Sequence, residues 1–145
     1  MKKIITHVFS PIFFGGMIYI LFRNKKLYLF NWLKLIGLNH NVDFLRNLAS
    51  SLKNYFPNWV FFSLPDGLWI YSFTSAIIIW SKLTKMSSHF IIVPFFFGPI
   101  SELLQKLMII PGTFDIVDFI IYIVFFILSI LLNFKSLPKG KIRSY

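Results

Sequence analysis

The chain has no cysteine. Disulfides, thiolate metal sites, cysteine nucleophiles and palmitoylation are excluded together. Acids are almost as scarce, with five Asp and Glu against fifteen Lys and Arg. Charged residues of both signs make up 14% of the sequence, where a soluble domain carries about a quarter. Also missing are a His-Glu-x-x-His zinc pattern, a phosphate-binding glycine loop, a Gly-x-Ser-x-Gly elbow and clustered histidine ligands. On these grounds no cofactor, no metal and no catalytic residue is expected.

What is present is apolar. Of 145 residues 57% are hydrophobic and 20% aromatic, including nineteen phenylalanines. A soluble protein of 17.1 kDa could not hide so much apolar surface in one small core. The composition points to an all-α, polytopic integral membrane protein, one domain over residues 1–145. About four transmembrane helices and an amphipathic interfacial helix fit that length.

Ile4 to Phe22 is 19 residues without Asp, Glu, Lys or Arg, preceded by Lys2-Lys3 and followed by Arg23, Lys25 and Lys26. With a basic cluster behind it and no small-residue cleavage site, it reads as an uncleaved first span at 4–22 rather than a signal peptide. Pro11 and Gly15-Gly16 are expected to bend it or to admit a close neighbour. The segment 27–56 reads as interfacial. Lys34 sits centrally in its only apolar run, where a Lys costs about 2.5–3.5 kcal/mol on insertion scales, so no full span is expected between Arg23 and Lys53. Within it Val42, Leu45, Leu48, Ala49 and Leu52 share one helical face, with Arg46, Asn47, Ser50 and Lys53 turned away.

The second span is expected at 63–80, opened by Ser63 as N-cap, Pro65 in the first turn and Asp66 at N3. The third, 88–110, contains Gly98-Pro99, which is expected to kink or break it. Pro111-Gly112-Thr113 reads as a tight turn, with Thr113 capping a fourth span at 114–134. The cations cluster at the ends of these runs, the pattern of topology determinants rather than of nucleic-acid contacts. Lys2, Lys3, Lys82, Lys85, Lys135, Lys139, Lys141 and Arg143 fall on one side of a four-span arrangement. Arg23, Lys25, Lys26, Lys34, Arg46 and Lys53 fall on the other, so the count favours both termini in the cytoplasm.

Four of the five acids lie in or beside apolar segments, where a carboxylate is costly. Asp66 and Asp115 occupy first helical turns, where an acid complements the macrodipole. Glu102 and Gln105 share a helix face, as do Asp115, Asp118 and Tyr122. The turn at 111–113 brings Gln105 and Asp118 to matching depth, so Glu102, Gln105 and Asp118 are expected to face protein between spans three and four. Glu102 has a second partner in reach, Lys106, four residues on. His7, His40 and His89 read as interfacial residues without partners, and Tyr122 and Asn133 as helix-packing residues.

The stretch Glu102-Leu103-Leu104-Gln105 followed by Pro111-Gly112-Thr113-Phe114-Asp115-Ile116-Val117-Asp118 resembles the signature of VanZ-like membrane proteins. That family carries Glu-x-x-Gln at the end of one span and Asp-x-x-Asp at the opening of the next. Pro65-Asp66 resembles the family's Pro-Asp ahead of an earlier helix. The resemblance covers about Pro65 to Tyr122. It departs from the family at Gly112, which runs into Thr113 where an Arg is usual, at Tyr122 where an Asn is usual, and at Gly67 and Ile70 in place of Lys and His.

The resemblance implies a multi-pass protein of a bacterial inner membrane with a cell-envelope context. The leading expectation is a protein that binds a lipid-linked envelope component or a membrane protein partner without catalysis, in contact with membrane lipids and not nucleic acid. Two alternatives stand beside it. One is a small membrane enzyme or ion-linked carrier using Glu102, Asp115 and Asp118; the other is an accessory subunit of a larger membrane complex. At this size a homo-oligomer fits as well as a hetero-complex. The site candidates are Asp66, Glu102, Gln105, Asp115 and Asp118.

Overall fold

A computed structural model of the chain describes residues 2–25, 27–84, 88–110 and 114–133, and every regular element among the described residues is helical. The first helix, α1, covers Lys2–Phe22. A π turn at Ile5–Phe9 interrupts it, just ahead of Pro11. Proline has no N–H to continue the ladder, and the wide turn is where the hydrogen bonding changes register. Gly15 admits a neighbour: a Cβ there would lie 2.9 Å from the Trp69 indole nitrogen, whereas Gly16 has open space around it.

Two short helices follow, α2 (Tyr28–Leu35) and α3 (Asn39–Ala49). At about 12 and 17 Å neither approaches the roughly 30 Å of a bilayer core. Gly37, at φ +77°, closes α2, with the Leu38 N–H bonded to the Leu33 carbonyl and the Gly37 N–H to that of Lys34. The face assignment for α3 is corrected in one respect. Of the face expected to be shared, Val42 and Ala49 are buried while Leu45 and Leu48 are exposed, and Arg46, expected to turn away from that face, points inward. Its guanidinium donates to the carbonyls of Ile20 and Arg23. The last carbonyls of α1 have no partner in their own helix and carry the negative end of its dipole, so they draw a cation rather than a leucine.

A 3-10 turn (Ser50–Asn54) and α4 (Asn58–Phe62) lead into α5, Leu64–Thr84, which runs four residues past the expected end of the second span. This helix is the hub, touching α1 on one side and the last helix on the other. After a 3-10 turn at Ser88–Ile92 comes α6, Val93–Lys106. The helix is not broken at Gly98-Pro99; Pro99 lies inside it. It does end earlier than expected. Met108 takes φ 56°, and the Ile109 N–H bonds back to the Leu104 carbonyl, so the apolar run Leu107–Ile110 is a terminus rather than a continuing span. The final helix, α7, covers Ile116–Asn133. The turn at 111–113, Thr113 as a cap, and the tail from Phe134 lie outside the described residues.

α5 and α7 run parallel. Gly67 meets Ile121 and Phe125, and about two turns on the Ser75 hydroxyl lies 2.9 Å from that of Ser129. A Cβ on Gly67 would sit 2.5 Å from Ile121 Cγ2, so the bare backbone sets the spacing of the two helices. Below this contact the interior is polar. Ser72 bonds the Val8 carbonyl, and Asn133, 1% exposed, donates to the Ser75 hydroxyl and the Ser129 carbonyl. His7, expected to lack a partner, shares a hydrogen bond between its Nδ1 and the Tyr71 hydroxyl.

The exterior is the reverse. Phe9, Phe13 and Phe14 on α1 and Ile120, Val124 and Leu131 on α7 are exposed. These two helices are long and apolar enough to cross a membrane, and only 11% of each apolar stretch is buried. By length and composition the two are the candidates among the described residues. α5 is long enough, but Asp66 and its run of Ser and Thr lower its hydropathy; α6 has 14 residues and is too short taken alone.

Gly67→Val is expected to destabilise the protein by about 1–3 kcal/mol through overpacking against Ile121 and Phe125. Gly16→Ala, with no atom in the way, leaves stability unchanged or slightly raised. Thermal unfolding in detergent micelles distinguishes the two; equal losses would show that the α5–α7 contact is not tight.

Candidate functional site

Four elements meet at one end of the helices: α1 finishes there, α5 and α7 begin there, and α6 ends there. Arg23 follows α1 in extended conformation. Its Nη2 donates to Asp66 Oδ2 and to the Phe62 carbonyl, both at 3.1 Å. The guanidinium also lies over the Tyr19 and Phe62 rings. Asp66, in the first turn of α5, is therefore an ion-pair partner as well as a group favoured by the helix dipole. Nothing in the spacing of Arg23 and Asp66 signals this pair, and in sequence Arg23 reads only as a flanking cation.

Glu102 is 4% exposed, and its Oε2 accepts the Asp115 N–H at 3.1 Å. Asp115 in turn accepts the Val117 N–H through Oδ1 and the Phe119 N–H through its carbonyl. The cap of α7 is thus Asp115, held from across the turn by Glu102. Lys106 is not the partner of Glu102; its ammonium lies 5.1 Å from the Phe114 ring centroid. Gln105 and Asp118, expected to meet between these helices, are both half-buried. No hydrogen bond joins them among the described residues, and Asp118 Oδ1 is buried with no partner. The chain turns at Met108, α6 ends at Lys106, one residue after Gln105, and it is Glu102 that bonds to the start of α7.

The carboxylates of Asp66, Glu102 and Asp118 lie close enough for their charges to act on one another. Tyr122 stands among them and within the field of Arg23. Its ring packs on Gly98, where a Cβ would fall 2.7 Å from Tyr122 Cγ. Beside it opens a pocket of about 230 Å³ lined by Asp66, Trp69, Ile70, Phe73, Phe97, Gly98 and Tyr122. The lining combines a carboxylate, Asp66, and Tyr122 with the aromatic side chains of Trp69, Phe73 and Phe97. The aromatic walls carry no motif, and sequence reasoning missed them.

Among the described residues no three His, Asp or Glu side chains are placed to hold a metal ion. The structure brings Asp66, Glu102 and Asp118 together, leaves Asp115 exposed as a cap, and leaves Gln105 half-buried at the margin. Comparison with protein-family models, curated proteins and solved structures returns no match to this chain.

Glu102→Gln keeps an oxygen for the Asp115 N–H and is expected to fold nearly as well as the parent. Glu102→Leu strands that N–H and is expected to lose about 1–3 kcal/mol. Unfolding of both variants in the same detergent checks this, and equal losses would mean that the cap does not rest on the carboxyl oxygen.

Proposed function

We propose that the chain is a multi-pass protein of a bacterial inner membrane, of the VanZ-like type, in which α1, α5, α6 and α7 all cross the bilayer. We further propose that the pocket at the acidic end holds the polar head of a lipid-linked envelope component. The observation that carries this reading is the mixed lining of that pocket. Trp69, Phe73 and Phe97 offer a surface for a hydrocarbon chain, and Asp66 and Tyr122 offer polar contacts. Asp118, which does not line the pocket, keeps a buried acceptor oxygen without a donor in the same acidic group. An amphiphile matches both halves; a water-soluble metabolite matches one.

The four-span arrangement is supported by the inversion of surface and interior. Ser72, Thr74, Ser75, Ser81, Ser129 and Asn133 are buried, while the outer faces of α1 and α7 are apolar. This arrangement suits a hydrocarbon surround, where small polar residues join helices. α5 is about 31 Å long, and α6 with the 3-10 turn before it about the same, matching the roughly 30 Å core. The cation count supports an extracytoplasmic position for the acidic end. The enzyme or carrier reading is weaker, because Glu102 and Asp115, two of its three carboxylates, are engaged as acceptors for backbone N–H groups.

The absence of native cysteine allows single-cysteine topology mapping. With four spans, His40→Cys and Ile109→Cys react with an impermeant maleimide from one face and Thr84→Cys from the other. All three reacting from one face would mean that α5 and α6 do not cross.

Mass spectrometry of lipids retained after extraction in mild detergent tests the ligand. A lipid-linked species is expected with the parent protein, reduced several-fold by Phe73→Ala and by Asp66→Asn. An identical lipid profile for all three would remove the pocket from the proposal.

A further inference from the structure

The α2–α3 hairpin carries two apolar stripes that the rest of the fold does not use. On α2, Tyr28, Trp32, Leu35 and Ile36 recur at i, i+4, i+7 and i+8, and all four point outward; Tyr28 is 82% and Leu35 83% exposed. On α3, Phe44, Leu45 and Leu48 form a second outward stripe, which Leu52 continues into the next turn. The face of α3 toward α1 is already committed to Val42, Arg46 and Ala49. A third face, with His40 and Asn47, is polar and exposed. So α3 grips the bundle with one side, offers hydrocarbon on another and meets water on the last.

We infer that this hairpin lies in the headgroup layer at the acidic end of the helices, with both stripes sunk to the acyl boundary. The inference rests on the membrane reading above and adds a second lipid contact, separate from the pocket. Three observations favour a leaflet over a second copy of the chain. Neither helix is long enough to span, yet α2 follows the end of α1 and α3 is bonded to that end through Arg46, at headgroup level in a bilayer crossed by α1. Tyr28 and Trp32 are the residue types enriched at that depth. Lys34 and Lys53 flank the stripes, exposed, and complement anionic headgroups, whereas lysine is depleted from protein–protein interface cores. Clamping by Arg46 on the carbonyls of Ile20 and Arg23 fixes the hairpin as a shelf rather than a tether.

The test uses the full chain in vesicles of equal parts phosphatidylcholine and phosphatidylglycerol. Nitroxide labels are placed singly at Leu35→Cys, Leu48→Cys, Asn47→Cys and, as a membrane control midway along α7, Val124→Cys, which is exposed. Collision with oxygen, which concentrates in hydrocarbon, is compared with collision with an aqueous nickel chelate. Labels at 35 and 48 are expected to favour oxygen several-fold more than the label at 47, and less than the label at 124. Labels at 35 and 48 as open to nickel as that at 47, with 124 still in lipid, would overturn the hairpin placement alone. Labels at 35 and 48 shielded from both reagents would overturn it in favour of a protein cover. A nickel-accessible label at 124 would overturn the membrane reading on which the inference stands.

Discussion

The polar groups that the helices bury find their partners inside the protein, with Arg23 Nε, Asp118 Oδ1 and Asn133 Oδ1 as exceptions among the described residues, because the outer faces are apolar and offer none. Much of the architecture follows from this constraint. α5 carries more of the buried Ser and Thr than any other helix, and it stands at the centre with its polar side chains turned to α1 and α7. Ser72 reaches back to Val8 beside the π turn, Ser75 meets Ser129, and Asn133 closes that pair from the end of α7. Such contacts are short-range and need the backbones close. Gly67 supplies that closeness, since a side chain there would push α7 away and pull Ser129 out of reach of Ser75.

The same constraint governs the acidic end, where the groups are charged. Arg46 satisfies the Ile20 carbonyl in the last turn of α1 and the carbonyl of Arg23 just after it, and Arg23 is the residue that holds Asp66. The hairpin, the first helix and the pocket wall therefore share one connected set of hydrogen bonds. Arginine suits both places. Its planar fork lets Arg46 reach two carbonyls from two nitrogens, and Arg23 serves a carbonyl and a carboxylate from Nη2 while its guanidinium lies over Tyr19 and Phe62. Whatever moves α3 relative to α1 moves the counter-ion of Asp66.

Hydropathy made α1 and α7 legible, because long apolar runs bracketed by cations need no tertiary information to be read. The amphipathic segment was legible as a helix but not in its facing. Period alone groups Leu45 and Leu48 with Val42, and it cannot know that the free carbonyls of α1 will claim Arg46. The third helix was overextended because Leu107, Met108, Ile109 and Ile110 read as a continuing span. A left-handed turn at a methionine has no sequence signal of the kind a glycine gives. Glu102 was legible as a buried carboxylate facing the next helix, but its partner is a backbone N–H, which no residue type announces. Arg23 and Asp66 are joined only by the fold, so neither spacing nor charge pattern could pair them.

Donor supply separates the acids by role. Asp43 is paired with Lys25 and Asp66 with Arg23. Glu102 accepts from the Asp115 backbone, and Asp115 from that of Val117. Asp118 alone among them keeps a buried oxygen with no donor. An unpaired buried carboxylate oxygen costs more than a lost neutral hydrogen bond, so folding alone gives no reason to keep it at this position. Asp66, Glu102 and Asp115 are held at the acidic end by their partners, whereas Asp43 lies away from it with Lys25. Asp118 stands within the acidic group without lining the pocket, and it carries the one acidic oxygen there that the fold buries and leaves without a donor.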